Sequence, residues 1–166
     1  MAIPVLNGGP GLQAALAAVN DQRTDRELEI VVCDSGSTDG SVAIARSCGA
    51  TVIEIAPSAF SHGATRNLLM RRCAGEHVAF LTQDSVPADA RWLAHLLAGF
   101  AEADDVALTF GPYRPQTTAS PMVARELNRW FEWFSPDGSP VVDRLAGALL
   151  ASLAALPKKQ ETISII

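Results

Sequence analysis

Residues 30–41 read IVVCDSGSTDGS, and they give the clearest indication of the fold. It begins as a run of apolar, mostly β-branched residues, which is the pattern of a strand buried on both faces of a sheet. The run stops at Asp34, small polar residues follow, and a stretch with helical character begins at Ser41. A buried strand that ends in a carboxylate before a helix is typical of the ligand-binding edge of an open α/β sheet.

Length, composition and charge limit the class of protein around this stretch. The chain has 166 residues, 48% of them hydrophobic and 19% charged, so we expect one globular unit with its own core. A net charge of −5 argues against broad electrostatic binding to nucleic acid. The three cysteines have no CxxC spacing, which favours reduced, buried thiols over disulfides or zinc.

The chain shows no segment with the features of a signal peptide or a membrane span. Met1 leads directly into a short strand-like run, and the longest apolar segment, residues 145–156, is too short to cross a bilayer. These features predict a cytoplasmic protein without a transmembrane segment. A peripheral position at the inner face of the membrane is the alternative.

Strands and helices are predicted to alternate along most of the chain. Strands are predicted at residues 2–6, 30–34, 51–55, 78–81 and 106–110, and helices at 12–19, 41–48, 63–73 and 87–100. This alternation predicts an α/β fold with a mostly parallel sheet and helices on both faces. Beyond Pro115 we expect a helix whose aromatic cluster, Trp130, Phe131, Trp133 and Phe134, packs in the core rather than forming a platform for stacking a sugar, although Trp133 falls off the main apolar face. An Ala/Leu-rich segment and a tail without a clear role follow.

Polar residues follow three of the predicted strands, namely Asn7, Asp34 and the Thr-Gln-Asp run that ends at Asp84. The carboxyl ends of parallel strands meet at one edge of a sheet, so these residues should converge. One aspartate would hydrogen-bond a ribose or base, and the other would hold Mg²⁺ or Mn²⁺ against a diphosphate. Each aspartate alone is more simply a turn former or a helix cap, so the inference depends on their joint placement.

Two further residues have alternatives that the sequence leaves open. Asp39 either caps the following helix or contacts the ligand directly. Arg66 follows a glycine-containing loop into a helix, where it either reaches a phosphate or base or lies on a solvated face.

A second motif suggests a different class of protein. Residues 9–14, GPGLQA, match the GxGxxG/A pattern of dinucleotide-binding folds, with Asp34 at a suitable distance for a ribose-binding acid. This alternative is an NAD-dependent oxidoreductase. Two features argue against this alternative: Asn7 and Gly8 make the turn after the first strand longer than the motif requires, and Pro4 disfavours a central strand. In addition, a dinucleotide-binding fold would give no role to residues 35–41 and 82–84.

Three segments in this order resemble the family 2 glycosyltransferases: residues 3–7 (IPVLN), 32–41 (VCDSGSTDGS) and 80–84 (FLTQD). Residues 60–67 (FSHGATRN) and the Thr-Gln-Asp run resemble the rhamnosyltransferase-like members. The resemblance covers residues 2–113 and implies a GT-A (Rossmann-like) fold, shortened at both ends. It makes residues 1–115 a nucleotide-sugar donor-binding domain, and residues 116–166 an incomplete acceptor-side helical region with an atypical tail.

The resemblance also implies an activity, which is inverting, metal-assisted transfer of a sugar from a nucleoside-diphosphate donor, such as dTDP-rhamnose, to a glycan or lipid-linked acceptor. The residues implied to bind the donor are Pro4, Asn7, Asp34, Ser35, Arg66, Gln83 and Asp84. Asp84 would also hold Mg²⁺ or Mn²⁺, since Thr82 stands where the family's metal motif often begins with aspartate. Ser35 stands where many members have a second aspartate that takes part in base recognition. The Glu-Asp motif of the family's catalytic base has no match after Pro115, so no catalytic residue is assigned. A donor-binding-only or inactive fragment is the alternative.

Overall fold

The computed structural model describes residues 1–117, 119–137, 139–142 and 161–163. Within these residues the strands are β1 (Ala2–Val5), β2 (Val31–Asp34), β3 (Thr51–Glu54), β4 (His77–Ala79), β5 (Leu108–Thr109) and β6 (Glu161–Ile163). The helices are α1 (Gly9–Asn20), α2 (Ser41–Ser47), α3 (His62–Arg72), α4 (Trp92–Ala98) and α5 (Pro121–Phe134). None of these helices is both long and apolar enough to cross a membrane. The apolar segment at residues 145–156 lies outside the described residues.

The strands form two parallel three-stranded groups, β1-β2-β3 and β4-β6-β5. A bridge between Ala2 and Phe80 joins them, and the Leu81 N–H donates to the Ala2 carbonyl over 3.1 Å. The strand order is therefore β3-β2-β1-β4-β6-β5. Val5 pairs with Asp34 in the register, which sets the ends of β1 and β2 side by side. The prediction of a mostly parallel sheet is confirmed.

Hydrophobic layers cover both faces of this sheet. Leu12 and Leu16 of α1 and Leu96 of α4 belong to one cluster, which also contains Ile3 and Val32 from the strands. Leu69 of α3 belongs to the opposite cluster, with Val31, Cys33 and Phe80 among its members. Neighbouring residues of β2 thus enter opposite layers, as expected for a strand buried on both faces. The predicted helices on both faces are confirmed.

The three cysteines form no disulfide within the described residues. Cys33 and Cys73 are buried, and Cys48 is partly buried. Burial raises the pKa of the Cys33 and Cys73 thiols above the ordinary value, because a low-dielectric interior disfavours the thiolate. These two side chains therefore act as small apolar core residues.

Pro4 lies in a central strand, so the expectation that proline disfavours this position is wrong here. Alternate residues of β1 face β4, and Pro4 has no N–H to donate in that direction. Two residues further on, the Gln83 side chain forms hydrogen bonds with the main chain of Leu6. Its Oε1 accepts from the Leu6 N–H (2.7 Å), and its Nε2 donates to the Leu6 carbonyl (3.0 Å). A side-chain amide thus continues the pairing that the proline interrupts.

The fourth helix begins at Trp92, later than the predicted start at Pro87. Asp89 first forms a turn in which its Oδ1 accepts from the Arg91 N–H over 2.8 Å. Gln22, in the loop after α1, then accepts from the Leu93 N–H (2.9 Å) and donates to the Asp89 carbonyl (2.8 Å). A side chain distant in sequence therefore satisfies an N–H at the helix start, which the local pattern does not reveal.

The end of the chain differs from expectation in two places. Residues 161–163 form β6 between β4 and β5, so the interpretation of the tail as having no clear role is wrong for them. In α5, Phe131 packs against Tyr113 with ring centroids 5.7 Å apart, but Trp130 and Trp133 are 47% and 76% exposed. Core packing was the wrong prediction for both tryptophans, because an amphipathic helix buries one side. The domain boundary at residue 115 stays a prediction.

Candidate functional site

Asp34 ends β2 at the carboxyl edge of the sheet and is only 2% exposed. Its Oδ1 accepts hydrogen bonds from the N–H groups of Gly36 and Ser37, both over 2.9 Å. Its Oδ2 is also buried, yet it has no hydrogen-bond partner in the described part of the chain. A buried carboxylate oxygen without a partner is unfavourable, so Oδ2 is suited to accept a hydrogen bond from a ligand.

Asn7 fastens the end of β1 to the turn that follows Asp34. Its backbone has φ 52°, in the left-handed region that asparagine tolerates better than most residues. The Asn7 N–H donates to Ser37 Oγ over 2.8 Å, and its Oδ1 accepts from the Thr38 N–H over 2.9 Å. The structure therefore brings Asn7 and Asp34 to the same turn, which Asn7 holds in place.

Ser41, the first residue of α2, was not predicted as a site residue, although it joins three segments of this edge. It is 1% exposed, and its Oγ accepts from the N–H groups of Gly8 (2.9 Å) and Gly9 (3.2 Å). The same hydroxyl donates to Asp39 Oδ1 over 2.5 Å. This carboxylate oxygen also accepts from the Ser41 N–H over 3.1 Å. These hydrogen bonds hold the pKa of Asp39 below its usual range. Asp39 thus supports the start of α2, one residue before the N-cap Gly40.

We expect Ser41→Ala to lower the free energy of unfolding by about 1–3 kcal/mol, because it leaves the Gly8 N–H without an acceptor and leaves the Gly9 N–H with only the Asp39 carboxylate among the described residues. Urea denaturation at constant pH measures the change. The matched control is Ser47→Ala, since within the described residues this exposed hydroxyl donates only to the Ile44 carbonyl of its own helix. Its loss should change stability by less than about 0.5 kcal/mol. Equal effects of the two substitutions would contradict the joining role of Ser41.

Three further predicted site residues hold the edge together through the main chain. The Ser35 N–H and hydroxyl both donate to the Val5 carbonyl, over 2.9 and 3.1 Å. Gln83 uses both of its amide atoms on Leu6, and Pro4 pairs with Cys33 in the β1–β2 register. These contacts align β1 with its two neighbours. Direct contact of Pro4, Ser35 or Gln83 with a ligand stays a prediction.

Arg66 and Asp84 come from α3 and from the segment after β4. The Arg66 Nη1 lies 3.3 Å from the carbonyl of His62, in the first turn of α3. Asp84 is exposed, and no hydrogen bond or ion pair among the described residues engages its carboxylate. Its carbonyl accepts from Gln116 Nε2 over 3.2 Å, which ties the chain beyond β5 to this edge.

Tyr113 connects these two charged residues and was not predicted from the sequence. Burial raises the pKa of its hydroxyl, the Asp84 carboxylate raises it further, and the Arg66 guanidinium lowers it. Both charged groups therefore act electrostatically on this one hydroxyl. The available signals were that Tyr113 is the single tyrosine of the chain and directly follows the Gly-Pro stop of the fifth strand.

The chemistry of Asp84 fits a divalent cation that a substrate shares. Among the described residues, no three His, Cys, Asp or Glu side chains form a cluster that would hold a metal ion by itself. Mg²⁺ and Mn²⁺ are commonly bound by one or two carboxylates, with substrate phosphates and water as the remaining ligands. An exposed carboxylate at the end of a strand is suited to that role.

The glycine-rich turn is not suited to bind a pyrophosphate. A dinucleotide fold uses main-chain N–H groups at the start of the first helix for this purpose. Here the N–H groups of Gly8 and Gly9 already donate to Ser41 Oγ. The geometry therefore argues against the dinucleotide alternative.

A parallel α/β sheet with Asp34 and Asp84 at its carboxyl edge defines the class of α/β ligand-binding domains. Over residues 1–155 the chain matches the family Glycosyl transferase family 2. The chain belongs to this family, so the oxidoreductase alternative is wrong.

Similar proteins agree with this assignment. The O-antigen chain rhamnosyltransferase WbaN of Salmonella anatum is 29% identical over 127 residues, which are 76% of this chain and 40% of WbaN. The crystal structure of S. aureus TarS 1-349 superposes with a TM-score of 0.58 at 21% identity, covering 73% of this chain and 38% of TarS 1-349. Its complex with UDP gives a TM-score of 0.57 at 22% identity, covering 72% and 37% of the two chains. This likeness confirms the predicted GT-A fold, and the chain spans about 40% of the length of these relatives.

Proposed function

We propose that this chain binds a nucleoside-diphosphate sugar and forms the donor side of an inverting, metal-assisted glycosyltransferase. The observation that carries the proposal is the carboxylate of Asp34. One of its oxygens is held by two main-chain N–H groups, and the other is buried without a partner in the described part of the chain. Such an oxygen suits a ligand that donates an N–H or O–H group, and a nucleoside has both.

The roles divide along the edge of the sheet. Asp34 accepts a hydrogen bond from the base or ribose, in a turn that Asn7 holds through Ser37 and Thr38. Arg66 and Asp84, which both act on Tyr113, flank the diphosphate. A guanidinium pairs with phosphate oxygens through charge-assisted hydrogen bonds. The four residues together thus recognise both halves of a nucleoside diphosphate.

Asp84 is the proposed ligand of Mg²⁺ or Mn²⁺. Its carboxylate is exposed and has the oxygen donors that these cations prefer. When bound, the cation would neutralise the negative charge that develops on the leaving nucleoside diphosphate. Asp84 would hold the cation in a defined position, because the Gln116 side chain donates a hydrogen bond to the Asp84 carbonyl.

The relatives support a particular donor and acceptor class. WbaN is described as an O-antigen chain rhamnosyltransferase, and one of the TarS structures is a complex with UDP. We propose dTDP-rhamnose or another nucleoside-diphosphate sugar as donor, and a glycan or lipid-linked glycan as acceptor. We also propose that residues 1–115 form the donor-binding domain.

We assign no catalytic base. Of the described carboxylates after Pro115, Glu126 lies 3.7 Å from the Arg125 guanidinium. Asp137 accepts from Ser139, and these hydrogen bonds hold the pKa of Asp137 below its usual range, which weakens it as a base. An inverting transfer needs a base to take the proton of the acceptor hydroxyl. Binding of the donor is therefore the part of the function to test first.

Thermal and urea unfolding with UDP, dTDP and Mn²⁺ test the proposal. We expect one of these nucleotides to stabilise the chain by about 2.7 kcal/mol at 100 times its Kd, with Mn²⁺ increasing the effect. The proposal is wrong if no nucleoside diphosphate stabilises the chain. NADH without metal is the negative control and should not stabilise the chain.

A second assay separates a transferase from a donor-binding-only chain. Sugar transfer to an acceptor, or hydrolysis of the donor faster than with Mn²⁺ alone, supports catalysis by this chain. Donor binding without either reaction supports the donor-binding-only alternative.

A further inference from the structure

The hydroxyl of Tyr113 is buried and has no hydrogen-bond partner within the described residues. A phenol usually finds a partner when it is removed from water, because an unpaired polar group in the interior is unfavourable. Only two other side-chain atoms in the described part of the chain share this condition, Asp34 Oδ2 and Thr65 Oγ1. Asp34 lies at the proposed donor site, and Thr65 adjoins Arg66 in α3. Two of the three unpaired atoms thus belong to, or adjoin in sequence, residues already proposed to bind the donor.

The aromatic ring of Tyr113 is held in place on two sides. It packs against the core layer that includes Leu81, Leu93 and Leu96, and its ring centroid lies 5.7 Å from that of Phe131. Three residues further along, Gln116 donates to the Asp84 carbonyl over 3.2 Å. A ring restrained in this way keeps its hydroxyl in one direction without a hydrogen bond to fix it.

Two charges of opposite sign also act on the hydroxyl. The Asp84 carboxylate and the Arg66 guanidinium act on it from the end of β4 and from α3. A neutral O–H donor can approach a phosphate oxygen without the repulsion that a second carboxylate would cause. A phosphate oxygen near Arg66 and Asp84 would supply the acceptor that the protein does not provide.

We propose that Tyr113 Oη donates a hydrogen bond to the diphosphate of the donor and positions it between Arg66 and Asp84. This inference rests on the proposed function, because it assigns one more residue to the same site. In this proposal Tyr113 binds the phosphates, and Asp34 binds the nucleoside. The two residues should therefore respond differently when the phosphates are removed from the ligand.

The variant Tyr113→Phe tests the inference, because it keeps the ring and removes only the hydroxyl. Isothermal titration calorimetry in the presence of Mg²⁺ first identifies which of UDP and dTDP the wild type binds more tightly. The affinity for that diphosphate is then compared with the affinity for its nucleoside, in the wild type and in the variant. We expect the affinity for the diphosphate to fall by about tenfold or more. The affinity for the nucleoside should stay at the wild-type level. Urea unfolding without ligand should show no loss of stability, since the hydroxyl has no described partner to lose.

The single tyrosine also allows a direct readout, because 3-fluorotyrosine labels this site alone. Its fluorine resonance should shift when the diphosphate and Mg²⁺ are added. Wild-type affinity for the diphosphate in Tyr113→Phe would overturn the inference, and so would a loss of stability without ligand, which would indicate a structural hydroxyl. A wild-type chain that binds no nucleoside diphosphate would overturn the proposed function together with it.

Discussion

Replacing Asp84 with asparagine is expected to abolish the metal-dependent stabilisation of the chain by UDP or dTDP. At 100 times the Kd, a bound ligand adds about 2.7 kcal/mol to the free energy of unfolding, and the variant should lose the part that requires Mn²⁺. The physical reason is that a neutral amide oxygen is a weaker ligand for a hard divalent cation than a carboxylate. Urea unfolding of both proteins, with and without nucleotide and MnCl₂, measures the difference.

The fold of the Asp84→Asn variant should be intact, because the carboxylate is exposed and engages no described residue. Asp104→Asn is the matched control, since this exposed aspartate precedes β5 and lies toward the amino ends of the parallel strands. It should keep the full metal effect. An unchanged metal effect in Asp84→Asn would contradict the assignment of Asp84 as the metal ligand.

Replacing Asp34 with asparagine should weaken binding of the nucleoside by about 100-fold or more. The substitution keeps an acceptor for the N–H groups of Gly36 and Ser37, but it puts an NH₂ donor in place of the buried Oδ2. An N–H or O–H group of the ligand would then face the NH₂ group instead of an acceptor. The charge-assisted hydrogen bond to the carboxylate would be lost. The free energy of unfolding should change little, because the acceptor for both N–H groups is kept and one unpartnered buried oxygen is exchanged for an unpartnered buried NH₂ group.

Asp39→Asn is the control for this substitution, because it lies in the same loop and keeps an acceptor for Ser41. Titration with the nucleoside should give wild-type affinity for this variant and a large loss for Asp34→Asn. A comparable loss in both variants would show that Asp39 also contacts the ligand, which was the open alternative for this residue. Wild-type affinity in Asp34→Asn would remove the main support for the proposed function.

Much of the fold could be predicted because its signals are local. The β-branched run at residues 30–33 and the repeated alternation of strand and helix predict a parallel sheet covered on both faces, and the structure confirms it. The residues after each strand were also accessible to prediction, since parallel strands bring their carboxyl ends to one edge. Asn7 and Asp34 do meet at one turn, through Ser37 and Thr38.

Other features could not be predicted, because each depends on a partner far away in the chain. Gln22 satisfies the start of α4 across 71 residues, and Gln83 continues the pairing of β1 across 77 residues. Ser41 binds the N–H group of Gly8 across 33 residues. No helical or strand periodicity indicates such contacts, since they arise only after the elements have packed.

The order of strands and helices, and the placement of Asp34 and Asp84 after two of the strands, could be deduced without the structure, because hydrophobic periodicity and turn residues act over a few positions. Only the tertiary structure decided what each polar group does. It engaged Ser35, Ser41 and Gln83 in holding the edge, and it left Asp34 Oδ2 and the Tyr113 hydroxyl without partners among the described residues. The reason is that a side chain's hydrogen bonds are settled by which groups the packed core brings within reach, and those groups belong to segments distant in sequence.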